Sequence, residues 1–283
     1  MNNKITYKMK KNNSIALLLF LSTLFFVSGC TKDAQNIKLP KSDPKLVVGC
    51  FISPQDPLIT LTLKRSNPIF GSGHSTSNNS MVTDALVTIS NGTNAITLSY
   101  NGNDEEYQAN ANLLSIAAGQ TYFLTVSTPK GESVSASCTV PVSNITSLIV
   151  DFVDTVSTTK TLNVKWQDIP NQVNYYRIVG QTVGSDSNYS DMHADNSLQN
   201  DNEKNGKEMS SKLVSNSFGL NSGKIVAYDI YLLNIDAEYY KYQNSLDNYT
   251  YDDPFSEPSP VYTNIKGGLG IFAAYQQLYI RKP

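Results

Sequence analysis

Leu162-Asn163-Val164-Lys165-Trp166, then Pro170, then Tyr175-Tyr176-Arg177-Ile178-Val179 is the stretch on which the architecture turns. Apolar residues alternate with polar ones in both segments, the period of a strand with one buried face. A tryptophan thus stands on one inner strand and a tyrosine on the next. Rings of that size are what fills the gap between two sheets packed about 10 Å apart. The second half of the chain, from about Ser147 onward, therefore reads as a β-sandwich.

Working outward, Lys45 to Pro141 reads as a series of short alternating strands separated by turn residues, about seven of them, the pattern of a sandwich with no helix required. Leu58-Ile59-Thr60-Leu61-Thr62-Leu63 alternates cleanly. Ala85 to Ser90 leads into Asn91-Gly92, a strong hairpin signal, and Ala95 to Tyr100 returns as its partner. Gly119 to Val126 and Glu132 to Val140 flank the turn Pro129-Lys130-Gly131. Asn67 to Ser80, rich in Gly, Ser and Asn, is predicted as a mobile loop. The pattern predicts two tandem sandwiches of a mainly β protein, residues 45–143 and residues 144–283. The second resembles a fibronectin type III module over about twenty residues.

Two segments of the second half break that rhythm. Gly184 to Ser211 holds almost no apolar residue, and its length predicts a polar loop, either disordered or functional. Ile235, Tyr239, Tyr242 and Leu246 recur at helical spacing behind Asp236, a good N-cap, so a short helix is predicted near 236–246.

The N-terminal end reads as a targeting segment. Lys8, Lys10 and Lys11 precede an apolar run, Ile15 to Val27, too short to span a bilayer. It ends in Val27-Ser28-Gly29-Cys30. That lipobox predicts removal of residues 1–29, a lipidated Cys30 and a polar tether over residues 30–44. The bland readings are an uncleaved anchor helix or a secretory signal without lipid. Thr31-Lys32-Asp33 resembles the export signal of surface lipoproteins, so attachment to the outer membrane, facing the cell surface, is expected.

The formal charge of the whole chain is −2, and losing the four lysines of the leader makes the mature chain about −6. No basic patch remains, which excludes nucleic acid as a partner. With Cys30 taken by lipid, Cys50 and Cys138 remain in a compartment where disulfides persist. Both are placed on inward strand faces. They either pair or stay as two buried thiols.

The chemistry-bearing residues are sparse. The two histidines, His74 and His193, lie in polar segments, and there is neither a His-Glu-x-x-His zinc motif nor a Gly-x-Ser-x-Gly elbow. Asp104-Glu105-Glu106 and Asp252-Asp253 read as solvated turns. Paired carboxylates of a glycosidase need a spatial separation that sequence does not reveal. Asp186, Asp191, Asp195 and Asp201 are oxygen donors of the kind calcium takes, without an EF-hand spacing, so calcium is at most a stabiliser of their loop. No catalytic or metal residues are assigned. Tyrosine is abundant, seventeen against one tryptophan. The dense group Tyr239, Tyr240, Tyr242, Tyr249 and Tyr251 either packs on the second sandwich or meets a protein or sugar partner.

Several motifs together resemble the Bacteroidetes lipoprotein family known as domain of unknown function 4249. They are Pro44-Lys45-Leu46-Val47-Val48-Gly49, Asp84 to Ile89, Gly119-Gln120-Thr121-Tyr122, Asp253-Pro254-Phe255-Ser256-Glu257-Pro258 and Asn264-Ile265-Lys266-Gly267-Gly268-Leu269-Gly270-Ile271-Phe272. Cys50 stands where a larger residue is expected. The resemblance implies an outer-membrane accessory lipoprotein beside a TonB-dependent transporter and supplies no catalytic residue; a glycan or a peptide is the ligand class considered for it. The expected function is non-catalytic. An adhesion or envelope-structural module is the alternative, and a carbohydrate- or peptide-acting enzyme the third reading. The glycines of the last motif read as a structural turn more readily than as an anion cradle, since the spacing and lysine of a phosphate loop are missing.

Overall fold

The computed structural model describes residues 43–67, 80–142, 145–154, 159–215, 224–249 and 260–283. The leader, Cys30, residues 68–79 with His74, and residues 250–259 with Tyr251 and Asp252-Asp253 lie outside the described residues.

Seven strands build the first sandwich: β1 (Leu46–Ile52), β2 (Leu58–Arg65), β3 (Leu86–Ser90), β4 (Ala95–Asn101), β5 (Glu106–Asn110), β6 (Thr121–Ser127) and β7 (Ser133–Thr139). Alternation decides their faces. Leu46, Val48, Cys50 and Ile52 of β1 point inward, as do Ile59, Leu61 and Leu63 of β2 and Tyr122, Leu124 and Val126 of β6. The Asn91-Gly92 hairpin forms as read. Gly92 takes φ +88, and Asn91 Oδ1 accepts from the N–H groups of Thr93 and Asn94.

The second half contributes β8 (Leu148–Asp154), β9 (Thr161–Gln167), β10 (Tyr175–Gly184), β11 (Tyr189–Asp191), β12 (His193–Asp195), β13 (Leu198–Asn200), β14 (Glu208–Val214), β15 (Ile225–Ile235), a helix α1 (Ala237–Asp247) and β16 (Leu269–Lys282). One sheet of four strands runs β12-β14-β9-β8 and faces the β10-β15-β16 portion of the larger sheet. Trp166 of β9 meets Tyr176 of β10 edge-on, ring centroids 5.6 Å apart and planes at 68°. The Tyr176 hydroxyl donates to the buried Asp168 carboxylate at 2.6 Å.

β16 belongs to both halves. Val47–Ile52 pair in parallel with Leu269–Ala274, while Tyr275–Lys282 pair antiparallel with β15. On one face of this strand Phe272 and Ala274 enter the first core and Leu278 packs on the second. On the other, Ile271, Ala273 and Tyr275 join a third cluster under α1. The first core thus draws Ile265, Phe272 and Ala274 from far beyond residue 143, and Ser42–Pro283 form one compact unit.

Gly184 to Ser211, expected as a polar loop, is a correction. It folds into β11, β12, β13 and the start of β14. Its few apolar anchors, Met192 and Met209, are buried, and the polar backbone is satisfied by neighbouring strands: β11 and β13 pair with β10, and β12 pairs with β14. The helix lies where its period placed it. The Asp236 side chain caps it by accepting from Tyr239 N at 2.8 Å.

Candidate functional site

The first sandwich is left with a seam between β7 and the N-terminal half of β16. There, β16 has no strand on its β15 side, because the chain leaves β15 at Ile235 to form α1. Side chains and one short bridge fill the gap. Lys266 and Ser135 exchange backbone hydrogen bonds. The Asn264 amide donates to Phe272 O at 2.7 Å and Ser137 O at 3.3 Å, and accepts from Phe272 N at 3.0 Å. Asp236 accepts from Ala274 N at 3.1 Å, and Gln276 donates to Pro141 O at 2.6 Å. Buried backbone groups need partners, and polar side chains supply them here in place of a strand.

A cleft of about 650 Å³ opens along this seam, between the outer faces of β6 and β7 and the start of α1. One wall carries the ring of Phe123 with the hydroxyls of Thr125, Ser135 and Ser137. The other carries Asp236 and Glu238, with Lys266 at one end. Burial pushes the Asp236 carboxyl up to about 7, against the backbone N–H groups that favour its charge. Both of its oxygens are engaged by backbone donors. Glu238 is bound by Tyr262 and by Lys241 at 3.0 Å. Each carboxylate therefore holds structure. The cleft presents hydroxyls and one aromatic ring as a binding surface.

The conspicuous tyrosines take different places. Tyr239 is buried, its ring 4.6 Å from Phe51 and its hydroxyl accepting from Arg177 Nη1 at 2.8 Å. Tyr240 stacks on Tyr175 at 4.5 Å and accepts from Asn200 at 2.9 Å. Tyr242 joins the same cluster, so these three serve packing of the helix and are not an open partner surface. Tyr249 is exposed at the end of the helix. Three tyrosines outside the dense group, Tyr189 of β11, Tyr231 and Tyr279, lie on the same sheet beyond α1, Tyr231 half-buried against the helix cluster and the other two exposed. Only strand register links them: Tyr231 and Tyr279 pair with each other in the row of Val179, and Tyr189 pairs with Val183.

Cys50 and Cys138 are free buried thiols in the first core, the second of the two alternatives read from the sequence. They stand on β1 and β7, elements on either side of the seam, and burial pushes both thiols up. The four acids considered for calcium are divided. Asp191 lies on β11 in the large sheet and accepts from Gln181 at 3.0 Å, and Asp195 lies on β12 in the four-stranded sheet, beside His193 at 3.7 Å. Asp186 accepts from Asn188, and Asp201 is buried after β13. Among the described residues no three His, Cys, Asp or Glu side chains converge as a metal site. Asp104 binds Asn101 and Gln108 within its turn.

The glycine motif works in the backbone. A β-carbon at Gly270, where φ is +102, would come within 1.9 Å of Val48 O, and one at Gly268 within 2.7 Å of Leu46 O. These glycines let β16 close on β1.

The molecule is a mainly β protein of sandwich-like sheets with one α-helix among the described residues. The chain belongs to the family described as Domain of unknown function (DUF4249), whose model matches residues 32–281. No curated protein sequence matches it. It is similar to a two-fibronectin-type-III-domain segment of chicken tenascin at 13% identity and TM-score 0.20, over 69% of this chain and 88% of that one.

Proposed function

We propose that this chain is a lipoprotein of the outer membrane, held by lipid on Cys30 and facing the cell surface, where it acts as a non-catalytic binding module beside a TonB-dependent transporter. The observation that carries the reading is Val27-Ser28-Gly29-Cys30 at the end of a short apolar run behind three lysines. The chain downstream of Cys30 supports it. A short polar tether leads directly into β1, and no helix among the described residues is long and apolar enough to cross a membrane. A lipid on Cys30 would supply the attachment. The cleft along the β7–β16 seam suits a ligand or a partner segment, with its hydroxyl wall and structural carboxylates.

The test is capture of the intact protein from gently solubilised outer membrane under native expression, with mass spectrometry of its N-terminal peptide and of its companions. An acylated Cys30 peptide and a co-purifying β-barrel transporter are expected. An unmodified residue 30, or recovery from the soluble fraction, overturns the anchoring. Recovery of the lipoprotein alone turns the reading to adhesion or envelope structure.

A further inference from the structure

On the outer face of the second half's large sheet, strand pairing brings two rows together: Val179, Tyr231 and Tyr279, then Gln181, Asp229 and Arg281. The row of Arg177, Leu233 and Gln277 separates them from that of Tyr175, Ile235 and Tyr275 under helix α1, and Val179 and Tyr231 pack against the edge of the cluster the helix covers. Two aromatic residues here are open, Tyr279 at 44% and Tyr189 of β11 at 57% exposure, while Tyr231 is half-buried. They are also fixed. The Tyr279 hydroxyl donates to Asp229 Oδ1 at 2.8 Å, which lays its ring along the sheet, 4.9 Å from that of Tyr231. Arg281 grips the same carboxylate through Nε and Nη2, both at 2.7 Å, and Tyr189 hydrogen-bonds the Arg281 guanidinium. Asp229 is almost fully buried and anchors the whole group.

We infer that this face is a binding platform for a neutral saccharide chain, with Tyr189 and Tyr279 stacking on sugar rings, Tyr231 backing the Tyr279 ring, and Gln181, Gln277 and Arg281 meeting the sugar hydroxyls. Three features select that ligand class. The Tyr279 ring is tethered through its hydroxyl to Asp229, so its face is presented with little loss of side-chain freedom on binding. Around them stand amides and a guanidinium, with Val179 the one aliphatic side chain in the two rows. A peptide anchor needs an apolar pocket, which a flat face of this composition does not offer. The charges are also complementary to a neutral ligand. Asp229 cancels Arg281, and the remaining charges on this face, Asp191 and Arg177, are of opposite sign, so no net charge draws an anionic chain. The platform rests on the proposed surface location for where the saccharide is met, and stands apart from it in how the saccharide is held.

Affinity gel electrophoresis of the full chain, extracted in mild detergent, tests it with dextran, laminarin, glucomannan and, as the anionic case, polygalacturonate cast in the gels. Retardation by at least one neutral polysaccharide and none by polygalacturonate is expected. Tyr189→Ala, on a short edge strand and tolerable to the fold, weakens binding by about tenfold, the scale of losing one aromatic anchor. Tyr279→Phe, which keeps the ring and loses the tether, weakens it less. Tyr249→Ala leaves it unchanged. Failure of every neutral polysaccharide to retard the wild type overturns the proposal and leaves the face to a protein partner. Retardation by polygalacturonate, or binding indifferent to Tyr189→Ala, also overturns it. The cell fraction that yields the protein tests the anchoring separately, since binding in the gel does not depend on it.

Discussion

Asp236 and Ala274 are joined twice: Asp236 N donates to Ala274 O at 3.0 Å, and Ala274 N donates to Asp236 Oδ2 at 3.1 Å. The last residue before the helix thereby takes over from β15 as the neighbour of β16, and its side chain caps the helix with the other oxygen.

The position of this carboxyl sets a pH dependence. Burial raises it from 3.8 to about 7, with Glu238 adding to the rise. Between those values the folded chain binds more protons than the unfolded one, so the contribution is full below about 4 and is lost as pH rises through about 7. Thermal unfolding should show a midpoint that falls between roughly pH 4 and pH 7. Asp236→Asn, whose amide cannot accept from both N–H groups, lowers the midpoint at acid pH by the equivalent of about 1 kcal/mol. It also flattens the slope. A wild-type midpoint that rises over this window would show that Asp236 is ionised throughout.

Acid unfolding carries the opposite sign. Arg65 and Thr128 hold the Glu132 carboxyl down from 4.5 to about 2. The stability it adds is present above 4.5 and is lost as pH falls through about 2. The pair is partly exposed, at 23% and 32%, so its worth is on the order of 1 kcal/mol or less. Glu132→Gln should remove that acid-side loss without moving the neutral-pH midpoint by more than a few degrees, as read by circular dichroism.

Two glycines of positive φ should respond differently to alanine. At Gly270 the new β-carbon meets Val48 O, whereas at Gly131, φ +82, nothing lies within 4 Å. Gly131→Ala costs about 1–2 kcal/mol of backbone strain alone. Gly270→Ala exceeds about 4 kcal/mol or prevents folding. Equal costs in urea unfolding would show that β16 does not close on β1 as described.

The Trp166 and Tyr176 rings offer a second comparison. Trp166 Nε1 is buried without a hydrogen-bond partner, while the Tyr176 hydroxyl donates to Asp168 and accepts from Ile169 N. Trp166→Phe loses volume but relieves an unsatisfied donor, and Tyr176→Phe strips a partner from a buried carboxylate at about 1–3 kcal/mol. Tyr176→Phe should be the costlier change in chemical denaturation, although it removes one atom.

The thiols admit a direct count. Iodoacetamide should label neither Cys50 nor Cys138 in the folded protein and both in denaturant without reductant. Labelling that requires reductant would establish a disulfide.

The local features were legible because their signals are local. The helix followed from the spacing of Ile235, Tyr239, Tyr242 and Leu246, its cap from Asp236, and the sandwich from Trp166 and Tyr176. What stayed hidden depends on partners distant in sequence. Nothing in the periodicity of Leu46–Ile52 or Leu269–Ala274 announces that they pair in parallel. The strands β11, β12 and β13 are three residues each and mostly polar, so no period had room to appear in them. Of the tyrosines that crowd the sequence, Tyr239, Tyr240 and Tyr242 pack the helix, and Tyr189 and Tyr279 are brought to one face only by register across β11, β10, β15 and β16.

β16 has a mechanical meaning as well. Because it runs parallel to β1, the start of β1 and the end of β16 lie at opposite ends of their ladder. Tension applied between Leu46 and Lys282 acts along the strands, and six residue pairs must slip together where a hairpin would unzip one pair at a time. The same strand then passes the load into β15. It is a tie rod running through both cores, and a molecule pulled at its N-terminal side while gripped by its second half would stretch as one body before either sandwich opened.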